Sequence, residues 1–264
     1  MSAGHARRAW VEHLMGTAAS IHVVGAACDS DEAQAAVAAC FAELREVERV
    51  FSPFRDDSDV SRIRRGELAI DAAGPWVGEV ARACEEAALA TRGMFSAHWR
   101  GWFDPTGYVK GWAVERASAH HLAPLLEVPG IVAVGIGVGG DMRLRTAPGS
   151  EWTWHVGIAD PDHPGEVLAT VDVRDGAVAT SGTAERGAHI VDPRIGVPAS
   201  GVRSATVIAP DLTAADVWAT AAVVAGRDLS WISGAPVTSG LLVTGEGAVR
   251  RWISGVEVAV ATAA

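Results

Sequence analysis

Apolar residues recur at Val37, Cys40, Phe41, Leu44, Val47 and Phe51, the spacing of one face of an α-helix. Asp29-Ser30 stands ahead of this run, with Asp31 and Glu32 where a first turn would fall. The pattern therefore predicts a long amphipathic helix to about residue 50, packed on a sheet and stopped by Pro53. Residues 17–24 (TAASIHVV) alternate loosely and predict a strand, led in by Met15-Gly16-Thr17. A second helix is expected from about Trp76 to Arg92, ending at Gly93. Residues 51–66 (FSPFRDDSDVSRIRRG) read as a loop with a short helical turn, and 94–118 as a loop feeding a third helix. The remainder is strand-rich: 131–138 (IVAVGIGV), then about 142–146, 152–158, 166–173, 177–180, 203–209, 238–244 and 248–260. One helix near 213–225 interrupts it. Helices gathered early and strands late predict an α+β fold, and no repeat, low-complexity tract or linker divides the chain.

Composition narrows the class. A chain of 264 residues, 49% hydrophobic, has ample material for one large domain or two small ones. A net charge of −10 argues against a nucleic-acid surface and fits a soluble enzyme. No apolar run approaches the roughly 18 residues of a membrane span, and MSAGHARRAWVEHLMG lacks the apolar stretch of a signal peptide, so a cytoplasmic location without membrane insertion is expected. Cys28, Cys40 and Cys84 form neither a C-x-x-C nor an even set and read as small apolar fillers in a reducing compartment. Ten tryptophans stand against one tyrosine, with no common role evident.

The stretch 177–196 (AVATSGTAERGAHIVDPRIG) builds no core, having few large apolar side chains and three glycines. Such composition brings backbone and short side chains close to a ligand, a phosphate-bearing one included; a plain hairpin between two strands is the alternative. GIGVGG (135–140) satisfies G-x-G-x-x-G after a strand, but the alternating Asp141-Met142-Arg143-Leu144-Arg145 follows where a helix is required, so a dinucleotide fold is excluded. A tight turn with Asp141 near a ligand remains. Lys110, flanked by Gly111 and leading a helix, would offer an ammonium to an anion unless it is an ordinary surface lysine. Asp216 and Thr220, four apart on an otherwise apolar helix, suit a hard cation such as Mg²⁺; the competing reading is a dipole-offsetting Asp and a back-bonded Thr. The nine histidines show no zinc spacing, and no serine sits in a G-x-S-x-G elbow.

These signals occur together in one family. Met15-Gly16-Thr17, FSPFRDDSDVSRI (51–63), FDPTGYVKGWAVE (103–115), GGD (139–141), ATSGTAERGAHIVDPRIG (179–196) and ADVWATAAVVAG (215–226) are similar, in order and spacing, to the blocks of the ApbE-type FAD:protein FMN transferases. The resemblance spans 8–260 and implies a single α+β unit of two mixed subdomains with the ligand between them. It implies Asp216 and Thr220 as side-chain Mg²⁺ ligands, joined by a main-chain carbonyl in the Gly107–Val109 turn, with Val109 the residue named. Lys110, Asp104 and Asp141 would surround the flavin nucleotide, with Met15 and the Ser52–Ser58 loop, including Phe54, nearby. Thr180, Ser181 and Gly182 would meet the flavin or its phosphates, and His189 would be the base toward the incoming hydroxyl.

The sequence departs from the family in three ways. The segment between ATSG and HIVDP lacks the tyrosine many members carry, Ile195 replaces the usual Thr or Ser of the DP-x-T-G turn, and no export signal is seen. The activity implied is Mg²⁺-dependent transfer of FMN from FAD to a threonine of an acceptor protein, releasing AMP, with FAD as substrate. An FAD pyrophosphatase, in which water replaces threonine, and a non-catalytic flavin-binding protein are the alternatives, the second disfavoured by the presence of Asp216 and Thr220.

Overall fold

The computed structural model describes residues 5–182 and 190–258. In chain order its elements are β1 (Arg7–Leu14), β2 (Thr17–Val24), α1 (Asp31–Phe51), α2 (Asp59–Arg64), α3 (Pro75–Ala90) and α4 (Thr106–Ala117). Then come β3 (Ala133–Val138), β4 (Asp141–Thr146), β5 (Trp154–Ala159), β6 (Val167–Val173), β7 (Gly176–Gly182), β8 (Val191–Asp192) and β9 (Val197–Pro198). The chain continues with β10 (Val202–Ala209), α5 (Leu212–Ala225), β11 (Ser239–Thr244), β12 (Val249–Ile253) and β13 (Val256–Val258). The fold is α+β, as the order of elements predicts. No helix among the described residues is long and apolar enough to cross a membrane.

Nine strands form one sheet in the order β1-β2-β3-β4-β7-β10-β11-β12-β13. Every neighbouring pair is antiparallel. Alternation along the strands sorts side chains onto two faces. Ala19, Ile21 and Val23 of β2 and Ala177 and Ala179 of β7 join the core beneath the helices, which includes Leu44, Val114 and Ala219. Val24 and Val178 point the other way, under the β5–β6 hairpin, and pack with Trp154 and Val156. The helical face is the thicker layer, and it carries the cleft described below.

Local chemistry sets the element ends. Ser30 caps α1, its hydroxyl accepting the Ala33 N–H at 3.2 Å, and extended Ser52 closes the helix ahead of Pro53. Ser58, fully buried, caps α2 by accepting from the Ser61 N–H at 3.1 Å and donates to the Ser52 carbonyl at 2.7 Å, which pins the loop between them. Gly139 and Gly140, at φ 57° and 90°, make the two-residue turn between β3 and β4, so GIGVGG is a hairpin and not a nucleotide-binding loop. All three cysteines are buried and free. Burial, with Glu43 and Glu85 adding to it, pushes the Cys40 and Cys84 thiols up to about 12, so both are inert fillers.

β1, the C-terminal strand and the short β8–β9 pair differ from expectation. β1 pairs with β2 over its whole length, although RRAWVEHL shows no clean apolar alternation. It is an edge strand, and of its residues only Leu14 is buried. The segment 248–260 is not one strand: Ser254 and Gly255, at φ 49° and 76°, turn it into the β12–β13 hairpin. Several tryptophans now acquire a place. Trp218 of α5 stacks on Trp231 at 5.1 Å, and Trp231 meets Trp252 of β12 edge-on at 5.5 Å, Trp252 being fully buried.

Candidate active site

Two helices make the site's frame. α4 and α5 pack so closely that a Cβ on Gly111 would stand 2.9 Å from Asp216 Cβ and 2.9 Å from the Leu212 carbonyl oxygen. Only glycine fits there. In that contact the Gly111 N–H donates to Asp216 Oδ2 at 3.1 Å. Glu115, one turn further along α4, accepts the Leu212 N–H at 2.8 Å and so satisfies an orphan donor at the start of α5. The same carboxylate accepts from Arg143 Nε at 3.0 Å and Arg145 Nη2 at 2.9 Å, tying both helices to β4.

Asp141 opens β4 and is completely buried. Its Oδ1 accepts the Thr180 N–H at 3.0 Å and its Oδ2 meets Lys110 Nζ at 2.5 Å. Lys110 Nζ also lies 3.8 Å from Asp216 Oδ1. One ammonium on α4 thus links the start of β4 with the middle of α5, joining three elements remote in sequence. On the neighbouring wall the hydroxyls of Ser181 and Thr220 are 3.1 Å apart.

Lys110, Asp216, Ser181 and Thr220 border a cleft of about 310 Å³, whereas Asp141, fully buried, does not line it and meets it through Lys110. Met15, Ser52, Phe54, Asp104, Gly107, Val109, Lys110, Ser181, Asp216 and Thr220 all line it. The left-handed Met15 and Gly16, at φ 54° and 74°, turn the β1–β2 hairpin at its mouth, and the Met15 N–H donates to Glu48 Oε1 at 3.1 Å. Phe54 is almost fully solvent-exposed at the rim. Asp104, buried, accepts from the Thr106 hydroxyl at 2.6 Å and lies 3.7 Å from Arg100 Nη1. Met94, Phe95 and Trp99 add an apolar wall.

Other expected residues fall elsewhere. Strand alternation sends the Thr180 side chain to the far face, where its hydroxyl pairs with Thr206 at 2.8 Å, so only its backbone faces Asp141. Gly182 is locked in the ladder opposite Ser204, and a Cβ there would lie 2.4 Å from the Arg203 carbonyl oxygen. Gly107 and Val109, which do line the cleft, sit in the first turn of α4. His189 lies outside the described residues. Asp192 anchors the turn that follows, accepting from Arg194 Nε at 2.9 Å and Nη2 at 2.8 Å, and Ile195 in that turn is exposed. The hydrogen bonds from Arg194 hold the Asp192 carboxyl below the usual range against the cost of its burial.

Gly111, Glu48 and Glu115 were not singled out from the sequence. Gly111 and Glu115 act through partners about a hundred positions away, which no local pattern displays.

Whether a hard cation fits is decided by the donors. Asp216, Thr220 and Ser181 offer one carboxylate and two hydroxyls on adjoining walls of the cleft. All are hard oxygens, and Mg²⁺ takes few protein ligands of that kind, leaving the rest to phosphate and water. The set fits.

The sequence profile of the ApbE family matches residues 15–102 and 99–237. The FAD:protein FMN transferase of Escherichia coli K12 is 36% identical over 124 residues, covering 43% of this chain and 35% of that protein. That of Treponema pallidum is 38% identical over 136 residues, covering 47% and 37%. The matched stretch thus spans little more than a third of either curated relative. Among solved structures, the ApbE protein of Thermotoga maritima superposes with a TM-score of 0.77 at 23% identity, over 93% of this chain and 97% of its own. The flavin transferase ApbE of Vibrio cholerae gives 0.70 at 19% identity, over 95% and 97%. At these identities the likeness is one of fold.

Proposed function

From its place in the ApbE family, to which this chain belongs, we propose that it is an FAD:protein FMN transferase acting with Mg²⁺ on a threonine of an acceptor protein. The observation that carries the reading is the meeting of Lys110, Asp216, Ser181 and Thr220 on one cleft, from α4, α5 and β7. Asp216 and Thr220 would hold the metal, with a main-chain carbonyl of the Gly107–Val109 turn, Val109 being the residue carried over, and the Ser181 hydroxyl at hand. Bound there, Mg²⁺ would offset charge on the FAD pyrophosphate and on the departing AMP.

The chain's own groups do the rest. Lys110, held by Asp141, keeps its ammonium aimed at the cleft where the pyrophosphate would lie. Such fixed charge needs no reorganisation as the reaction proceeds. Met15, Phe54, Asp104 and the apolar wall of Met94 and Phe95 would receive the flavin nucleotide, an apolar ring system with polar edges. Asp141 would serve by holding Lys110 and the Thr180 backbone, and Gly182 by letting β7 approach β10. The threonine oxygen bonds to the FMN-side phosphorus while the phosphorus–oxygen bond to AMP breaks, the electron pair leaving with AMP. The threonine proton passes to the imidazole of His189, imidazole being a side chain that can act as a base near neutral pH.

Incubation with FAD, Mg²⁺ and candidate acceptor proteins tests the reading. Flavin fluorescence that stays with the acceptor on a denaturing gel, with one AMP released per flavin bound, is the expected result. Free FMN and AMP without labelling would mark a pyrophosphatase. FAD binding without AMP would mark a flavin-binding protein.

A further inference from the structure

Away from the cleft, Glu43 of α1 meets two histidines that are adjacent in sequence. Glu43 Oε2 is 2.7 Å from His121 Nε2 and 3.2 Å from His120 Nδ1. Consecutive residues of an α-helix diverge by about 100° and do not share a partner. Here they do: from the single π turn Ser118–Leu122 that continues α4, His120 reaches the oxygen through Nδ1 and His121 through Nε2. The other oxygen, Oε1, accepts from Arg116 Nε at 2.7 Å, which fixes the carboxylate and leaves Oε2 to the histidines.

We propose that Glu43, His120 and His121 form a Zn²⁺-class metal site that pins α1 to the end of α4. One potential ligand atom from each residue falls within 4.8 Å of the others. Ligand atoms of a tetrahedral zinc centre stand about 3.4 Å apart, close to the 3.2 Å of the His120 contact, while the 2.7 Å His121 contact must open further to admit the ion. Two imidazoles and a carboxylate suit Zn²⁺ or its borderline neighbours rather than Mg²⁺ or Ca²⁺. Each neutral ring keeps its single proton on the nitrogen facing away from the metal, and water would take the remaining position.

The surroundings support the choice. Arg116 lies between Glu43 and Glu79, the latter 4.0 Å from its Nη1, so two carboxylates face one guanidinium and the locality stays negative toward a dication. Arg116 also packs over Trp76 and Trp112, which holds it in place as the partner orienting the ligand. Glu43 lies about one helical turn before Val47, the first residue of α1 in the cleft lining, and His120 lies ten residues beyond Lys110, so none of the three ligands lines the cleft. The site is separate from the oxygen donors of Asp216 and Thr220.

The tag-free full chain is titrated with Zn²⁺ by calorimetry and with Co²⁺ by visible absorption. One saturating equivalent is expected, with the ligand-field bands of nitrogen-bound Co²⁺ and a melting temperature that rises with Zn²⁺. His120→Gln and His121→Gln should each weaken binding by roughly tenfold or more, since even outer partners of such ligands cost that much. Asp216→Asn should keep the equivalent. Circular dichroism verifies that each single variant is folded. The proposal is overturned if the wild type binds no saturating equivalent, or if both folded histidine variants bind Zn²⁺ as the wild type does.

Discussion

The backbone of Gly111 rests against the side chain of Asp216: its N–H donates to Oδ2 at 3.1 Å, and no Cβ could be accommodated between them. The carboxylate assigned to the metal is thus oriented by a helix-to-helix contact that depends on the absence of a methyl group. Gly111→Ala should push α4 from α5, cost about 1–3 kcal/mol in denaturant unfolding, and lower transfer by more than the stability loss explains. Equal activity per folded molecule in the variant would mean that the contact only packs.

Asp216→Asn keeps the shape and the acceptor for Gly111 N–H but removes the charge that holds a dication. Its transfer rate should collapse at limiting Mg²⁺ while melting stays near wild type. Wild-type rates across a Mg²⁺ titration would remove Asp216 from the metal site.

If His189 takes the threonine proton, His189→Ala should lose transfer by about 10²–10⁴-fold with FAD affinity little changed. A variant that melts earlier yet transfers at full rate would instead show a packing residue. Measuring all three quantities on one preparation separates these outcomes.

Glu115 is shared by the Leu212 N–H, Arg143 and Arg145, and Arg143 is buried. Glu115→Gln removes charge from those hydrogen bonds and should cost about 1–3 kcal/mol. Because Glu115 also seats the start of α5, the variant should bind Mg²⁺ more weakly as well. An unchanged Mg²⁺ requirement would confine the residue to stability.

His22 of β2 accepts from Arg7 Nη2 at 2.9 Å. Burial first, and the Arg7 charge second, hold its pKa below the ordinary 6.5. The unfolded chain therefore takes up this proton at higher pH than the folded one. The resulting contribution is complete above 6.5 and is lost as pH falls through the lower folded value. His22→Gln should flatten the decline of melting temperature between about pH 7 and pH 5, and a slope equal to wild type would assign that decline to other groups.

The strand 17–24 was legible because burial of one face imposes its alternation, and 203–209, buried on both faces, because it forms a short run of small and apolar residues. β1 was not, since an exposed edge strand has no such pressure and RRAWVEHL satisfies its backbone through β2 alone. In the site, Lys110 and Asp216 stood out as charged residues in apolar or glycine-flanked surroundings. The roles of Gly111, Glu115 and Glu43 did not, because each is defined by a partner brought near only by the packing of α1, α4 and α5. Thr180 and Ser181 are neighbours in sequence, yet the two-residue period of β7 gives them opposite faces, and only register decides which hydroxyl reaches the cleft.

Trp218 follows Asp216 by two residues on α5 and stacks on Trp231 at 5.1 Å with planes 15° apart, and Trp231 abuts Trp252 of the sheet. Indoles this close share their electronic transitions, so the near-ultraviolet dichroism of the protein should contain a coupled signal from α5, the loop after it and β12 together. That signal is an intrinsic gauge of helix seating, requiring no label and no substrate. A substitution that alters only the cleft's chemistry leaves the couplet intact, whereas one that lifts α5 from the sheet extinguishes it.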